Sequence, residues 1–138
     1  MKAVRFHEHG GPEILRYEEV PDPAPGPGQV LLRVLAAGVN YADASRRKGG
    51  TSYPRPTPLP FTPGSEVVGI VEKLGGRIAG IERGATFMAW LGQGGYAEWA
   101  VANAADLLPV PPGVKPEEAL SLIIQGLTAA LILKGSAR

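Results

Sequence analysis

A chain of 138 residues, 44% hydrophobic and 20% charged, is long enough to bury one core and has the composition of an ordinary globular domain. Its formal net charge of +1 leaves no electrostatic footprint for nucleic acid or an acidic membrane surface. Cysteine is absent, which excludes a disulfide framework and every thiolate-ligated metal site.

The opening residues 1–8 hold no apolar segment of the kind a signal peptide needs. The apolar stretch 119–133 is broken by Ser121, Gln125, Gly126 and Thr128, which argues against a membrane span. A cytoplasmic location is the default. The 19 glycines and 14 prolines punctuate short β-branched runs, the arrangement expected of a turn-rich β-domain.

In chain order, residues 2–6 read as a first strand, Gly10-Gly11-Pro12 as a turn, and 15–20 as an antiparallel partner. The run Pro21-Asp22-Pro23-Ala24-Pro25-Gly26-Pro27-Gly28 cannot pair as a strand, because each proline removes a backbone donor. Residues 29–39 form a strand with Leu32, Val34 and Ala36 on one face and Leu31, Arg33 and Leu35 on the other. Residues 40–48 have room for about two helical turns, stopped by Gly49-Gly50. Prolines at 54, 56, 58, 60 and 63 predict an extended path.

Residues 64–74 predict a strand rich in valine and isoleucine. Residues 85–91 and 96–102 predict two more around Gly92-Gln93-Gly94-Gly95, and 107–110 a short last one. Pro116-Glu117-Glu118 then opens a helix, with proline in the first turn and acids at the positive end of the dipole. The helical pattern runs to Leu133 or Lys134 with Gly135 as the stop, and Gly126 predicts a kink or two abutting helices. The fold class is therefore mainly β (α+β), a partly closed barrel followed by an apolar helix. No chemistry follows from the pattern itself.

Four segments carry a family resemblance. Gly38-Val39-Asn40-Tyr41-Ala42-Asp43, the run from Leu59-Pro60-Phe61 through Gly64-Ser65-Glu66-Val67-Val68-Gly69, Gln125-Gly126-Leu127-Thr128-Ala129, and more weakly Gly94-Gly95-Tyr96-Ala97-Glu98 resemble motifs of the zinc-free medium-chain dehydrogenase/reductases of the NADPH:quinone oxidoreductase, or zeta-crystallin-like, kind. The resemblance implies a GroES-like partial β-barrel over residues 1–115 and a connecting helix over 116–138, leading toward a nucleotide-binding Rossmann domain that this chain does not contain. It also implies hydride transfer from NADPH to a quinone or enone. Asn40 and Tyr41 would be catalytic, Asn40, Gln125 and Thr128 would contact the cofactor, and Tyr41 and Tyr53 would line the substrate pocket.

Zinc is not expected. The zinc-dependent relatives carry a Cys-His pair where Asn40-Tyr41 stand here, and a histidine where Ser65 stands. Catalytic zinc needs three protein ligands, and only His7 and His9 are available as histidines. A site built on His7, Glu8 and His9 would have two histidines on one strand face but no indicated third ligand.

The same residues have plainer readings. Asn40 suits a helix N-cap, Asp43 complements the helix dipole, and Tyr41 and Tyr53 suit half-buried aromatics. Glu66, set among apolar strand residues, suits a carboxylate that satisfies buried donors, and Arg46-Arg47-Lys48 suit cations at a helix C-terminus. Thr128 suits a small helix-packing residue.

No glycine-rich loop follows a strand and opens a helix, so NADPH binding would require the absent domain, and the chain would be inactive alone. Leu120, Ile123, Ile124, Leu127, Leu131 and Leu133 would then be left in water and drive self-association through the C-terminal helix. The alternatives are a stand-alone GroES-like module that binds a partner without catalysis, or the corresponding domain of an enoyl-thioester reductase. No partner of nucleic-acid or membrane type is expected.

Overall fold

The computed structural model describes residues 1–49 and 57–136; Tyr53 lies outside the described residues. Strands β1 (Lys2–Arg5) and β2 (Arg16–Glu19) form the expected antiparallel pair, with Lys2 opposite Glu19 and Arg5 opposite Arg16. A short 3-10 turn at Pro12–Ile14 begins with its proline, where the missing N–H costs nothing. The proline-rich connector ends in a turn in which Gln29 N–H donates to Gly26 O at 3.0 Å. There β3 (Gln29–Ala37) begins.

The larger sheet has five strands in the order β6-β3-β4-β5-β7. The remaining members are β4 (Glu66–Leu74), β5 (Thr86–Trp90), β6 (Trp99–Asn103) and β7 (Leu107–Pro109), and every pair is antiparallel. Although β5 and β6 flank the glycine loop at 92–95, they are not neighbours: β3 and β4 lie between them. The two sheets join where Val4 N–H donates to Tyr96 O at 2.8 Å and Glu98 N–H to Lys2 O at 3.1 Å. Phe6 and Phe61 also exchange backbone hydrogen bonds of 3.0 and 2.9 Å. The result is a partial β-barrel, as the strand pattern and the resemblance both imply.

The period-2 geometry of β4 explains its near-continuous burial. Val67 and Val71 point into the main core with Val30, Leu32, Ala89, Leu91, Ala100 and Ala102. Val68 points the other way and packs with Met88, Ala119 and Ile123. Glu66 shares the parity of Val68, which directs its carboxylate toward the helical side of the sheet. Strand parity thus places one acid in an otherwise apolar wall.

The C-terminal run is α2 (Pro116–Leu120), a π-helical turn (Leu122–Gly126) and α3 (Leu127–Ser136). The break expected at Gly126 is present, and it is a π turn. The helix continues through Gly135 to Ser136 rather than stopping at that glycine, since glycine lowers helix propensity without removing a backbone donor. The start of this run belongs to the barrel, since Ala119 and Ile123 are buried beneath Val68 and Met88, with Leu120 and Ile124 packed against them. Three of the six aliphatics expected in water are therefore covered at least in part, while Leu127, Leu131 and Leu133 are 59%, 62% and 70% exposed.

By length and composition alone, the helical span Pro116–Gly135 suffices to cross a bilayer. This corrects the sequence reading, which counted only 119–133. The helix also incorporates Pro116 to Glu118 and the last turn, and its scattered polar residues do not offset the leucines and isoleucines.

Candidate functional site

Helix α1 (Tyr41–Lys48) leaves the end of β3, with Asn40 at its N-cap and Gly49 closing it at φ 73°. The Asp43 carboxylate reaches back to accept the Asn40 N–H at 3.0 Å, the acidic half of a capping box. It does more than cap. Asp43 is 5% exposed, and its two oxygens also accept Gly64 N–H at 3.1 Å, Ser65 Oγ–H at 3.3 Å and the Tyr96 hydroxyl at 3.2 Å. One carboxylate thereby ties α1 to the entry of β4 and to the segment before β6.

Gly64 must be glycine here. Its φ is 100°, and a Cβ would strike the Tyr96 ring and the Gly95 carbonyl carbon. Tyr96 has its phenol pushed well above the usual tyrosine range, first by burial and then by the Asp43 charge and hydrogen bond, with a smaller contribution from Glu66.

A second polar chain lies beside the first. Glu66 is 1% exposed, and its Oε1 accepts Asn40 Nδ2–H at 2.9 Å. Its Oε2 accepts the backbone N–H of Ile124 at 3.1 Å. Gln125 Nε2–H donates to Asn40 Oδ1 at 2.8 Å. The Ile124 contact accounts for the π turn: a side-chain carboxylate takes an N–H out of the helical ladder, and the next bond forms five residues apart, from Gly126 N–H to Ser121 O at 3.2 Å. Room for the carboxylate comes from Gly38, where a Cβ would collide with Glu66.

These elements border a shallow, open cleft of about 240 Å³, lined by Gly38, Val39, Glu66, Glu117, Leu120, Ser121 and Gln125. Asn40 and Gln125, both expected at the site, are hydrogen-bonded to each other across 85 residues of sequence. Asn40 occupies the N-cap that the plainer reading gave it, while its amide bonds to Glu66 and Gln125. Tyr41 is 84% exposed on the first turn of α1 and is not among the residues that line the cleft. Thr128 is exposed in the first turn of α3, two residues beyond the break.

His7 and His9 do not share a strand face, because β1 ends at Arg5 and the two rings diverge. His7 Nε2 meets the Glu18 carboxylate at 3.0 Å, and His9 Nδ1 meets Arg46 O at 3.0 Å. Arg47 donates to Gly10 O, and the Arg46 guanidinium lies 5.3 Å from the centre of the Phe61 ring, so both pack back onto the barrel. Sequence reasoning missed the Asp43–Tyr96 contact and the Glu66–Ile124 contact. The available signal was the placing of acids within apolar or glycine-rich runs, which marks a buried acceptor but not its partner.

A polar rim at the edge of a partial barrel, wired to the first turn of one helix and the break in another, defines the class. The alcohol dehydrogenase GroES-like domain family matches residues 26–112, and this chain belongs to it. Quinone oxidoreductase of Mus musculus is 39% identical over 140 residues, covering all of this chain and 42% of that protein. The quinone oxidoreductase from Thermus thermophilus, whose structure was solved also as its complex with NADPH, has a TM-score of 0.84 at 39% identity over 99% of this chain and 41% of that one. The human synaptic vesicle membrane protein VAT-1 homolog-like protein has a TM-score of 0.91 at 31% identity, over 96% of this chain and 42% of that one. The resemblance drawn from the motifs is borne out along the whole chain, which spans 42% of the length of the mouse protein.

Proposed function

We propose that this chain is the catalytic-domain portion of a zinc-independent, NADPH-dependent reductase of quinones or enones, acting in the cytoplasm. The observation that carries the reading is the Gln125–Asn40–Glu66 hydrogen-bonded chain, which joins two of the family's motifs at one cleft edge. NADPH, when bound, supplies the hydride, and the protein supplies orientation and hydrogen bonds.

The described residues do not fit a whole dinucleotide. The cleft is smaller than the ~300 Å³ at which ligand pockets begin. Gly75-Gly76 and Gly92-Gln93-Gly94-Gly95 connect β-strands, and the glycine turn at Gly113 leads into α2, whose first turn carries proline and the acids Glu117 and Glu118, a poor seat for a pyrophosphate. A segment outside this chain would grip the nucleotide. Asn40 and Gln125 would orient what meets the cleft, while Tyr41 and Thr128 stand exposed where that segment would dock. Self-association through the exposed leucines of α3 belongs to the same reading. Zinc independence rests on the side chains at the family's ligand positions: Asn40 bonds to Glu66 and Gln125, and Ser65 donates to Asp43.

A binding module without catalysis is the second reading, supported by the exposed leucines of α3, which offer a partner an apolar face. One experiment separates the two. NADPH titration and quinone turnover are measured on the 138-residue chain, alone and with the nucleotide-binding segment of a relative supplied in trans or fused. Weak binding alone and turnover only when complemented are expected. Robust turnover by the chain alone would overturn the requirement for an outside segment, and none under any condition would leave the binding module.

A further inference from the structure

We propose that Glu66 is a positioning residue that sets the direction of the Gln125–Asn40–Glu66 chain. A carboxylate can only accept hydrogen bonds, whereas a carboxamide can be turned over to exchange its oxygen and nitrogen. Asn40 and Gln125 alone could therefore pair in either direction.

The Ile124 N–H is a backbone donor that cannot be turned over, and it claims Oε2 of Glu66 at 3.1 Å. Oε1, also an acceptor, then requires the Nδ2 side of Asn40, at 2.9 Å. That leaves Asn40 Oδ1 toward Gln125, which must donate through Nε2, at 2.8 Å. The acid is 1% exposed, and Gly38 is close enough that a Cβ there would displace it, so the first link is held sterically as well as electrostatically. The hydrogen bond to Ile124 also creates the turn that carries Gln125, so one carboxylate fixes both where Gln125 sits and which way its amide faces. The groups left for a bound molecule are then set as well: the oxygen and one N–H of Gln125. The relevance of this to catalysis rests on the functional reading above; the direction of the chain does not.

Isosteric substitutions test the direction itself. In Glu66→Gln, the new amide oxygen satisfies Ile124 and its nitrogen faces Asn40. Asn40 then turns over, Gln125 turns over in response, and the whole chain reverses with no bond lost. Adding Asn40→Asp places an acceptor-only group at position 40, where it takes a donor from each side and returns Gln125 to its original direction. Asn40→Asp alone sets two carboxylates against each other and is the most disturbed of the three.

The measurement is the side-chain amide region of ¹⁵N–¹H spectra of this chain, with hydrogen exchange at the Ile124 amide. Wild-type Gln125 should show one bonded and one free amide proton. The pair should move to free-glutamine values in Glu66→Gln and recover in the double variant. Exchange at Ile124 should stay within roughly threefold of wild type in both, and rise by more than about tenfold in Glu66→Leu, where the N–H loses its acceptor. Gln125 signals unmoved in Glu66→Gln, or a double variant that fails to restore them, would overturn the proposal. Should Glu66→Gln not fold, Gln125→Glu gives the test: Asn40, held by Glu66, should keep its bonded amide proton in place, and Asn40 signals that move to a new bonded position would overturn the proposal. No cofactor is present in these spectra, so absence of turnover would sink the reductase reading while leaving this result intact.

Discussion

The barrel and the helix that leaves it are built to different standards. In the barrel, Val30, Leu32, Val67, Val68 and Val71 are fully buried, and Asp43 and Glu66 are enclosed with named donors on both oxygens. In α3, Leu131 and Ile132 are each 62% exposed, beside Leu127 and Leu133. The first region is satisfied by its own contacts. The second carries an apolar surface with no partner among the described residues, and only its approach, through Ala119 and Ile123, is fastened to the sheet. Substitutions in the two regions should therefore fail in different ways.

The largest effect is expected at Asp43. Asp43→Ala strands the N–H groups of Asn40 and Gly64 and the hydroxyls of Ser65 and Tyr96. At about 1–3 kcal/mol for each buried group left unpaired, the loss should reach about 4 kcal/mol, read as a collapse of the urea midpoint. A variant within about 1 kcal/mol of wild type would mean water enters this corner freely. Leu32→Ala comes next, at about 3 kcal/mol, because Leu32 is fully enclosed by the barrel core. The matching change in the helix, Leu131→Ala, should move stability by less than about 0.5 kcal/mol. Equal losses at the two leucines would erase the distinction between the regions.

Tyr96→Phe should cost about 1 kcal/mol through its bond to Asp43. Its pH signature is more telling. Folding raises the tyrosine pKa, so the neutral phenol is favoured in the native state. That contribution is complete below about pH 10, the ordinary value in an unfolded chain, and declines as pH rises beyond it. Urea midpoints taken from about pH 8 to about pH 11 should therefore fall more steeply above about pH 10 in the wild type than in Tyr96→Phe. Parallel curves would place the alkaline sensitivity elsewhere.

The fold was legible where local rules suffice. Alternation, glycine stops and proline exclusions locate the strands within a few residues, because each rule acts over a handful of neighbours. Sheet order was not legible, since nothing in residues 85–102 says that β5 and β6 stand apart with β3 and β4 between them. The site was half legible for the same reason. Asn40 and Gln125 came from motif resemblance, whereas their mutual bond spans 85 residues and depends on Glu66 drawing Ile124 out of the helical ladder. An acid in a valine-rich strand announces a buried acceptor, but only the assembled sheet shows which donors reach it.

The smallest change in folding stability, and the sharpest test of the comparison, is expected in α3. Leu131→Lys replaces an exposed apolar side chain with a charged one of similar helix propensity, so the urea midpoint should hardly move. If the exposed leucines drive self-association, the same change should weaken it, because burying an unpaired ammonium in an apolar contact is unfavourable. Sedimentation velocity over a concentration series should show wild type shifting toward dimer or larger species while Leu131→Lys remains monomeric. Leu127→Lys, one turn earlier on the same helix, should act in the same direction, whereas a charge on Tyr17, exposed on β2 at the far sheet, should not. A monomeric wild type at all concentrations would show that exposure alone does not make this helix adhesive.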